Sequence, residues 1–157
     1  MPEGSVIRIC ICLDQGEPMS HVSCVEVLAN KGIIGDRYAA GRGAFSRSRP
    51  PKVRDVSLIA IEAIEAANKE VSVPFTDLDT RRNIVTLGIV DLSQFVGKEF
   101  MVGHVRMLGT ERCDPCERPS KLSGKPDFAT AFKDRGGLRA QVLNDGEINV
   151  GDPIVMI

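Results

Sequence analysis

The sequence predicts a β-rich, mixed α/β fold of barrel type, and three observations carry that expectation. Apolar and polar residues alternate over several short runs, the period of a strand with one buried face. Glycine, proline and Asn-Asp-Gly punctuation separates those runs at short intervals. One stretch, Ala60 to Lys69, stands out for its helix-forming composition. With 157 residues, 43% of them hydrophobic, the chain can bury one substantial core, so a single domain over 1–157 is expected.

Ser5 to Leu13 reads as the first strand, with Ile7, Ile9, Ile11 and Leu13 on one face and Arg8, Cys10 and Cys12 on the other. His21 to Leu28 reads as the second. The glycine-punctuated stretch Asn30 to Asp36 turns sharply and delivers Asp36, Arg37 and Tyr38 to the mouth of the sheet. From Arg37 to Arg54 there are six basic residues and no acidic one, with Gly41, Gly43, Pro50 and Pro51 opposing regular structure. This segment reads either as a mobile flap over a small anion or as a solvated surface loop. Val56 to Ile59 is a short strand, Ala60 to Lys69 the main helix and Val71 to Asp79 a connecting loop. Asn83 to Leu87 and Glu99 to Leu108 read as strands, separated by a helical turn and glycine stop over Asp91 to Gly97. Asp127 is expected to cap a second short helix running to Arg135. Leu138 to Leu143 is a strand, Asn144-Asp-Gly146 a turn, and Glu147 to Ile157 supplies the closing strands.

Composition narrows the function classes. The net charge is −1, from 20 basic and 21 acidic residues, and aromatics are 4%, so neither the basic field nor the stacking platforms of a nucleic-acid binder are present. No apolar run approaches a membrane span, and Met1-Pro-Glu-Gly4 lacks the basic and apolar regions of a signal peptide; a cytoplasmic protein without membrane contact is expected. Five cysteines form an odd set in a chain large enough to fold without staples, which points to reduced thiols. Cys10, Cys12 and Cys24 could share a metal, but small buried hydrophobes are the stronger reading. Neither His21 nor His104 stands at a familiar ligand spacing from a thiol, so each reads as structural or exposed.

The chemistry concentrates in Gly109-Thr-Glu-Arg-Cys-Asp-Pro-Cys-Glu-Arg-Pro119. Pro115 fixes its own φ and pushes Asp114 out of the helical region, so Cys113 and Cys116 flank a turn or helix start and can face one point. Arg112 and Arg118 favour a thiolate there, whereas Glu111, Asp114 and Glu117 oppose it.

Arg81-Arg-Asn83-Ile, Gly88, Asp91-Leu92, Gly97-Lys98, Gly103 and Cys113-Asp-Pro-Cys116 together resemble the MOSC family, the domain at the C-terminus of molybdenum-cofactor sulfurases. Gly35-Asp36 before them extends the resemblance, as do Arg135-Gly-Gly-Leu138, Val142-Leu143 and Gly146-x-Ile148-x-x-Gly151-Asp152 after them. The resemblance implies a MOSC-type β-barrel with a few short peripheral helices. It also implies a domain that binds the molybdenum cofactor (molybdopterin) or carries sulfur on a cysteine. The family's key thiol matches Cys116, which is thereby the candidate molybdenum or persulfide ligand, with Cys113 beside it as a second candidate catalytic thiol. Arg81 and Asn83 match the Arg-x-Asn motif as candidate cofactor contacts, joined by Asp36 and Arg37. A guanidinium can take a phosphate bidentately, and an amide can pair with a pterin edge. The sequence contains no pyridoxal-phosphate domain of the kind that generates persulfide in the longer sulfurases.

Three functions remain open at this stage. One is a cofactor-binding or sulfur-carrier module, served by a pterin cofactor or by a sulfur donor such as a cysteine desulfurase. Another is a partner-dependent molybdenum reductase of the amidoxime-reducing type, working with a molybdoenzyme or reductase partner. The third is a zinc or dithiol-redox protein, although a structural zinc site needs about four ligands and the Cys113–Cys116 pair supplies two. Whether the chain is itself an enzyme, sulfurtransferase-like or molybdenum-dependent, is left undecided by the sequence.

Overall fold

The computed structural model describes residues 3–49 and 52–157; Met1, Pro2 and the two prolines assigned to the basic loop, Pro50 and Pro51, lie outside the described residues. The strands are β1 (Glu3–Ile11), β2 (Ser20–Val22), β3 (Cys24–Leu28), β4 (Gly32–Ile33), β5 (Val56–Ala60), β6 (Ile84–Leu87), β7 (Glu99–Val102), β8 (Val105–Arg112), β9 (Leu138–Val142), β10 (Gly146–Asn149) and β11 (Pro153–Met156). The order β11-β7-β8-β9-β5-β6-β1 closes on itself through pairing of β1 with β11, giving a seven-stranded barrel of the predicted β-rich class. β2 adds to β1 outside that ring, and β10, β3 and β4 form a small second sheet. β5 and β6 run parallel and are joined across the helix α1 (Ile61–Asn68); α2 (Arg118–Ser123) and α3 (Phe128–Ala131) are short and peripheral.

Two apolar cores hold these elements. Ile9, Leu58, Ile84, Phe100, Met107 and Leu138 fill the barrel, with Phe95 stacked on Phe100 at 4.8 Å between ring centres. On the outer face of β1, β5 and β6, α1 and α3 cover Ile59 and Val85 with Ile64, Ala67, Phe128 and Phe132. Phe75 meets Phe128 edge-on at 5.3 Å, and Phe128 stacks on Phe132 at 4.4 Å. Removing one such ring costs about 3–5 kcal/mol.

Four local expectations are corrected. The alternation in β1 is broken by a bulge between Val6 and Arg8. Val6, Ile9 and Ile11 belong to the barrel core, whereas Ile7 joins Cys10 and Cys12 in the outer one, and Leu13 lies past the strand, exposed. The strand expected over His21 to Leu28 is two strands, because β2 pairs with β1 while β3 pairs with β10. Glu99 to Leu108 is a hairpin: Gly103, at φ 58°, and His104 form a two-residue turn between the partners Val102 and Val105. Asp127 does not cap α3, because its backbone sits in the left-handed region at φ 73° and not in the extended region of a capping residue; Ser120 Oγ accepts from the Phe128 N–H at 3.0 Å instead. The main helix falls where its composition placed it, and Asn68 ties its end down, its amide exchanging two 2.8 Å bonds with the Phe75 backbone.

Candidate functional site

The two thiols sit where β8 leaves the barrel. The Cys113 N–H donates to Gly137 O at 2.8 Å, which prolongs β8 against the segment leading into β9. Gly136 packs so tightly here that a Cβ would stand 2.2 Å from the Cys113 carbonyl oxygen. Cys113 is thereby buried, at 2% exposure, while Cys116 lies past Pro115 and is exposed just ahead of α2. All five cysteines are free. No third cysteine, histidine or carboxylate joins Cys113 and Cys116 in a metal-ligating group among the described residues.

Both thiols line a pocket with five arginines, Arg37, Arg81, Arg82, Arg118 and Arg139, and no carboxylate. Each guanidinium is brought in by its own backbone context. Ser57 and Arg139 are cross-strand partners of β5 and β9, so their side chains share the outer face there. Arg81 ends a 3-10 turn at Leu78–Thr80 in the left-handed conformation, φ 64°, which costs energy for a residue other than glycine. That turn aims its guanidinium back across β1, where it donates to Glu17 O and to Cys12 Sγ at 3.4 Å. Arg82, following it, donates to Gly136 O at 2.8 Å and to Thr80 O at 3.2 Å. Arg37 bonds Asp36 Oδ1 at 3.0 Å and Arg81 O at 3.1 Å. The loop after Arg37 contributes Tyr38 and Phe45 as an aromatic wall, and Arg54 stacks on Phe45 at 4.7 Å from the ring centre.

The electrostatics of this group favour an anion. Burial, and after it the neighbouring Arg37, lowers the pKa of Arg81, with Cys12 partly offsetting them. Burial, followed by Arg139, does the same to Arg54, which lies outside the pocket lining behind Phe45 and whose Nε and one terminal nitrogen are buried without a hydrogen-bond partner among the described residues. Desolvated cations that repel one another are stabilised by an anion between them. The space is about 50 Å³, room for a few water molecules, so a larger ligand must widen it.

Of the residues singled out in the sequence, Cys113, Cys116, Arg37 and Arg81 converge on this pocket. Asp36 and Asn83 stand behind it. Asp36 is fully buried and accepts from the Cys12 N–H and from Arg37, which makes it the residue that orients Arg37. Asn83, 1% exposed, accepts from the Ser57 N–H and hydroxyl and donates to Cys10 O, pinning β1, β5 and β6 together. The two arginines flanking the thiols separate: Arg118 faces the pocket, but Arg112 points away to pair with Asp134 at 2.7 Å. Arg82 and Arg139 were missed as site residues. Arg82 lay within the Arg81-Arg-Asn83 motif, and Arg139 held the outward position of an alternating strand beside Leu138 and Ala140.

Comparison with protein families matches the MOSC domain over residues 30–155. The chain belongs to the MOSC family. Solved structures share its fold: the YuaD protein from Bacillus subtilis (TM-score 0.79, 18% identity) is matched over 97% of this chain and 94% of that one. YiiM from Geobacillus stearothermophilus follows at a TM-score of 0.72 and 17% identity, covering 99% and 75% of the respective chains. YiiM from Escherichia coli gives 0.66 and 16%, covering 96% and 70%. A search of curated protein sequences finds no match. The MOSC assignment makes this a molybdenum-cofactor-related domain. Among the described residues, no helix of the MOSC chain is long and apolar enough to cross a membrane.

Proposed function

We propose that this MOSC domain binds the molybdenum cofactor or carries sulfur for it, with Cys116 as the working thiol. The observation that supports this most is an exposed thiol beside a carboxylate-free pocket of five arginines. The residues fit a phosphate-bearing pterin in charge, since guanidinium groups take phosphate in paired hydrogen bonds, and the Phe45 loop is the element that must move to admit its bulk. When bound, the cofactor would supply a soft metal centre able to accept a thiolate or a terminal sulfur. Arg81 and Arg37 would hold the anionic end, Asp36 would keep Arg37 aimed, and Cys116 would face the incoming group.

In the carrier role, the Cys116 thiolate attacks the outer sulfur of a donor persulfide. The donor leaves as a thiolate and Cys116 becomes the persulfide. A cysteine desulfurase is a donor of the required chemistry, and a molybdoenzyme a fitting acceptor. Cys113, buried against Gly136, lies beside the site as a shielded neighbour.

Metal analysis and intact-mass measurement on protein co-produced with cofactor synthesis test this reading. Molybdenum or a persulfide is expected on the wild type and absent from Cys116→Ser, because a hydroxyl stays protonated near neutral pH and is a poor soft ligand. Arg81→Ala is expected to weaken pterin binding by about 1.5–3 kcal/mol, the scale of a charged hydrogen bond. Retention of the ligand by Cys116→Ser refutes the thiol-centred reading.

A further inference from the structure

We infer that Cys10, His21 and Asp77 form a binding site for a divalent cation of the zinc class, on the outer face of β1 and β2. None of the three lines the arginine pocket, so the site is independent of the function proposed there. Cys10 and His21 are register partners across the antiparallel β1–β2 pair, which sets their Cβ atoms about 4.5–5.5 Å apart on one face. Asp77, buried just ahead of the 3-10 turn, brings its carboxylate oxygens to 3.0 and 3.1 Å from His21 Nε2. One ligand atom from each residue lies within 4.8 Å of the other two, the only such group among the described residues. Ligand bonds of about 2.0–2.3 Å place tetrahedral donors roughly 3.3–3.7 Å apart, so side-chain movements of about 1 Å close the site.

The donor set identifies the cation class. One sulfur, one imidazole nitrogen and one carboxylate oxygen suit a borderline-soft ion such as zinc, whereas calcium and magnesium take oxygen cages. A thiolate and a carboxylate balance two positive charges. His21, with 46% of its side chain exposed, leaves a side open for a water in the fourth position. The Cys10 proton passes to solvent as the metal–sulfur bond forms. The Arg8 guanidinium, paired with Asp77, is the competitor the cation must displace, and with 43% of its side chain exposed it can swing into water.

Cobalt(II), a spectroscopic stand-in for zinc, tests the site. Titration of the full chain is expected to produce one equivalent of a thiolate-to-cobalt charge-transfer band that persists in Cys116→Ser. His21→Gln, an exposed and therefore tolerated change, should weaken cobalt binding by about 100-fold or more, beyond the roughly 10–100-fold that loss of an outer partner costs. Arg8→Gln should tighten it. Absence of the band from the wild type overturns the proposal, as does a band lost in Cys116→Ser but kept in His21→Gln, which would put the metal at the other thiols.

Discussion

Arg82 Nε donates to the carbonyl of Gly136 at 2.8 Å, while the Gly136 Cα lies against the Cys113 carbonyl with no room for a methyl group. An arginine of the pocket and the backbone of the buried thiol are thus fixed by one glycine. Gly136→Ala puts a carbon 2.2 Å from a backbone oxygen, so the chain must shift. The expected cost is about 1–3 kcal/mol, as for other overpacking changes, with anion affinity falling in the same variant because Arg82 moves too. Thermal melts and phosphate titration read the two effects. An unchanged melting temperature shows that the Cys113 segment yields freely.

Thiol reactivity should follow exposure. Cys116 is expected to react with iodoacetamide well before Cys10, Cys12 and Cys113, which are buried. Burial, and secondarily Asp77, raises the Cys10 thiol to about 12, which removes its thiolate at neutral pH. Cys24, expected among the shielded core thiols, is instead exposed on β3 and should label readily. Peptide mapping after brief treatment gives the order; labelling of Cys113 ahead of Cys116 reverses the assignment of the reachable sulfur.

The loop from Arg37 to Arg54 should tighten over an anion. Its described part is held by short turns such as Ser46 N–H to Gly43 O at 3.1 Å, and by the Arg54–Phe45 stack, with little of it in the cores. Sparse packing of this kind predicts rapid amide exchange in the free protein and slower exchange with a phosphate-bearing pterin. Equal protection with and without the ligand removes the flap.

Asp79 provides a pH signature. Burial pushes its carboxyl up, but hydrogen bonds from Lys125 and Thr76 and the Lys125 charge outweigh that and hold it below the usual 3.8. Because the folded value lies below the unfolded one, the contribution to stability is present above pH 3.8 and is lost as the pH falls through the lowered folded value. Lys125→Met should lower the melting temperature by about 2–4 °C near neutrality, corresponding to about 1 kcal/mol for a partly buried pair. That difference should vanish in acid. A difference that persists at low pH assigns the effect to packing of the lysine stem.

The barrel was legible because its strands carry period-2 patterns and glycine stops that operate locally. The hairpin at Gly103 and the break between β2 and β3 were not, since each depends on which distant strand supplies the hydrogen bonds. The thiols and Arg81 were readable as a motif and Arg37 as part of a basic segment suited to an anion, but the five-arginine lining of the pocket was not. Arg139 reaches it through pairing of β5 with β9, and Arg112, adjacent to Cys113 in sequence, is carried to the opposite side. The Cys10–His21–Asp77 group shows the same limit, because strand register and a 56-residue separation, absent from any linear spacing rule, bring it together.

The bulge in β1 acts as a phase shifter between two structural dependencies. Glu3 to Ser5 keep step with β11 and close the barrel, whereas Ile9 to Ile11 keep step with β2. The extra residue, Ile7, lets one strand satisfy both partners with side-chain phases that differ by one. Straightening the bulge with Ile7 retained would force a choice: keep the seam and rotate Cys10 into the barrel, or keep Cys10 facing outward and throw Gly4 and Val6 out of phase at the closure. The facing of a cysteine and the closure of the ring therefore depend together on the bulge that takes Ile7 out of step with β6.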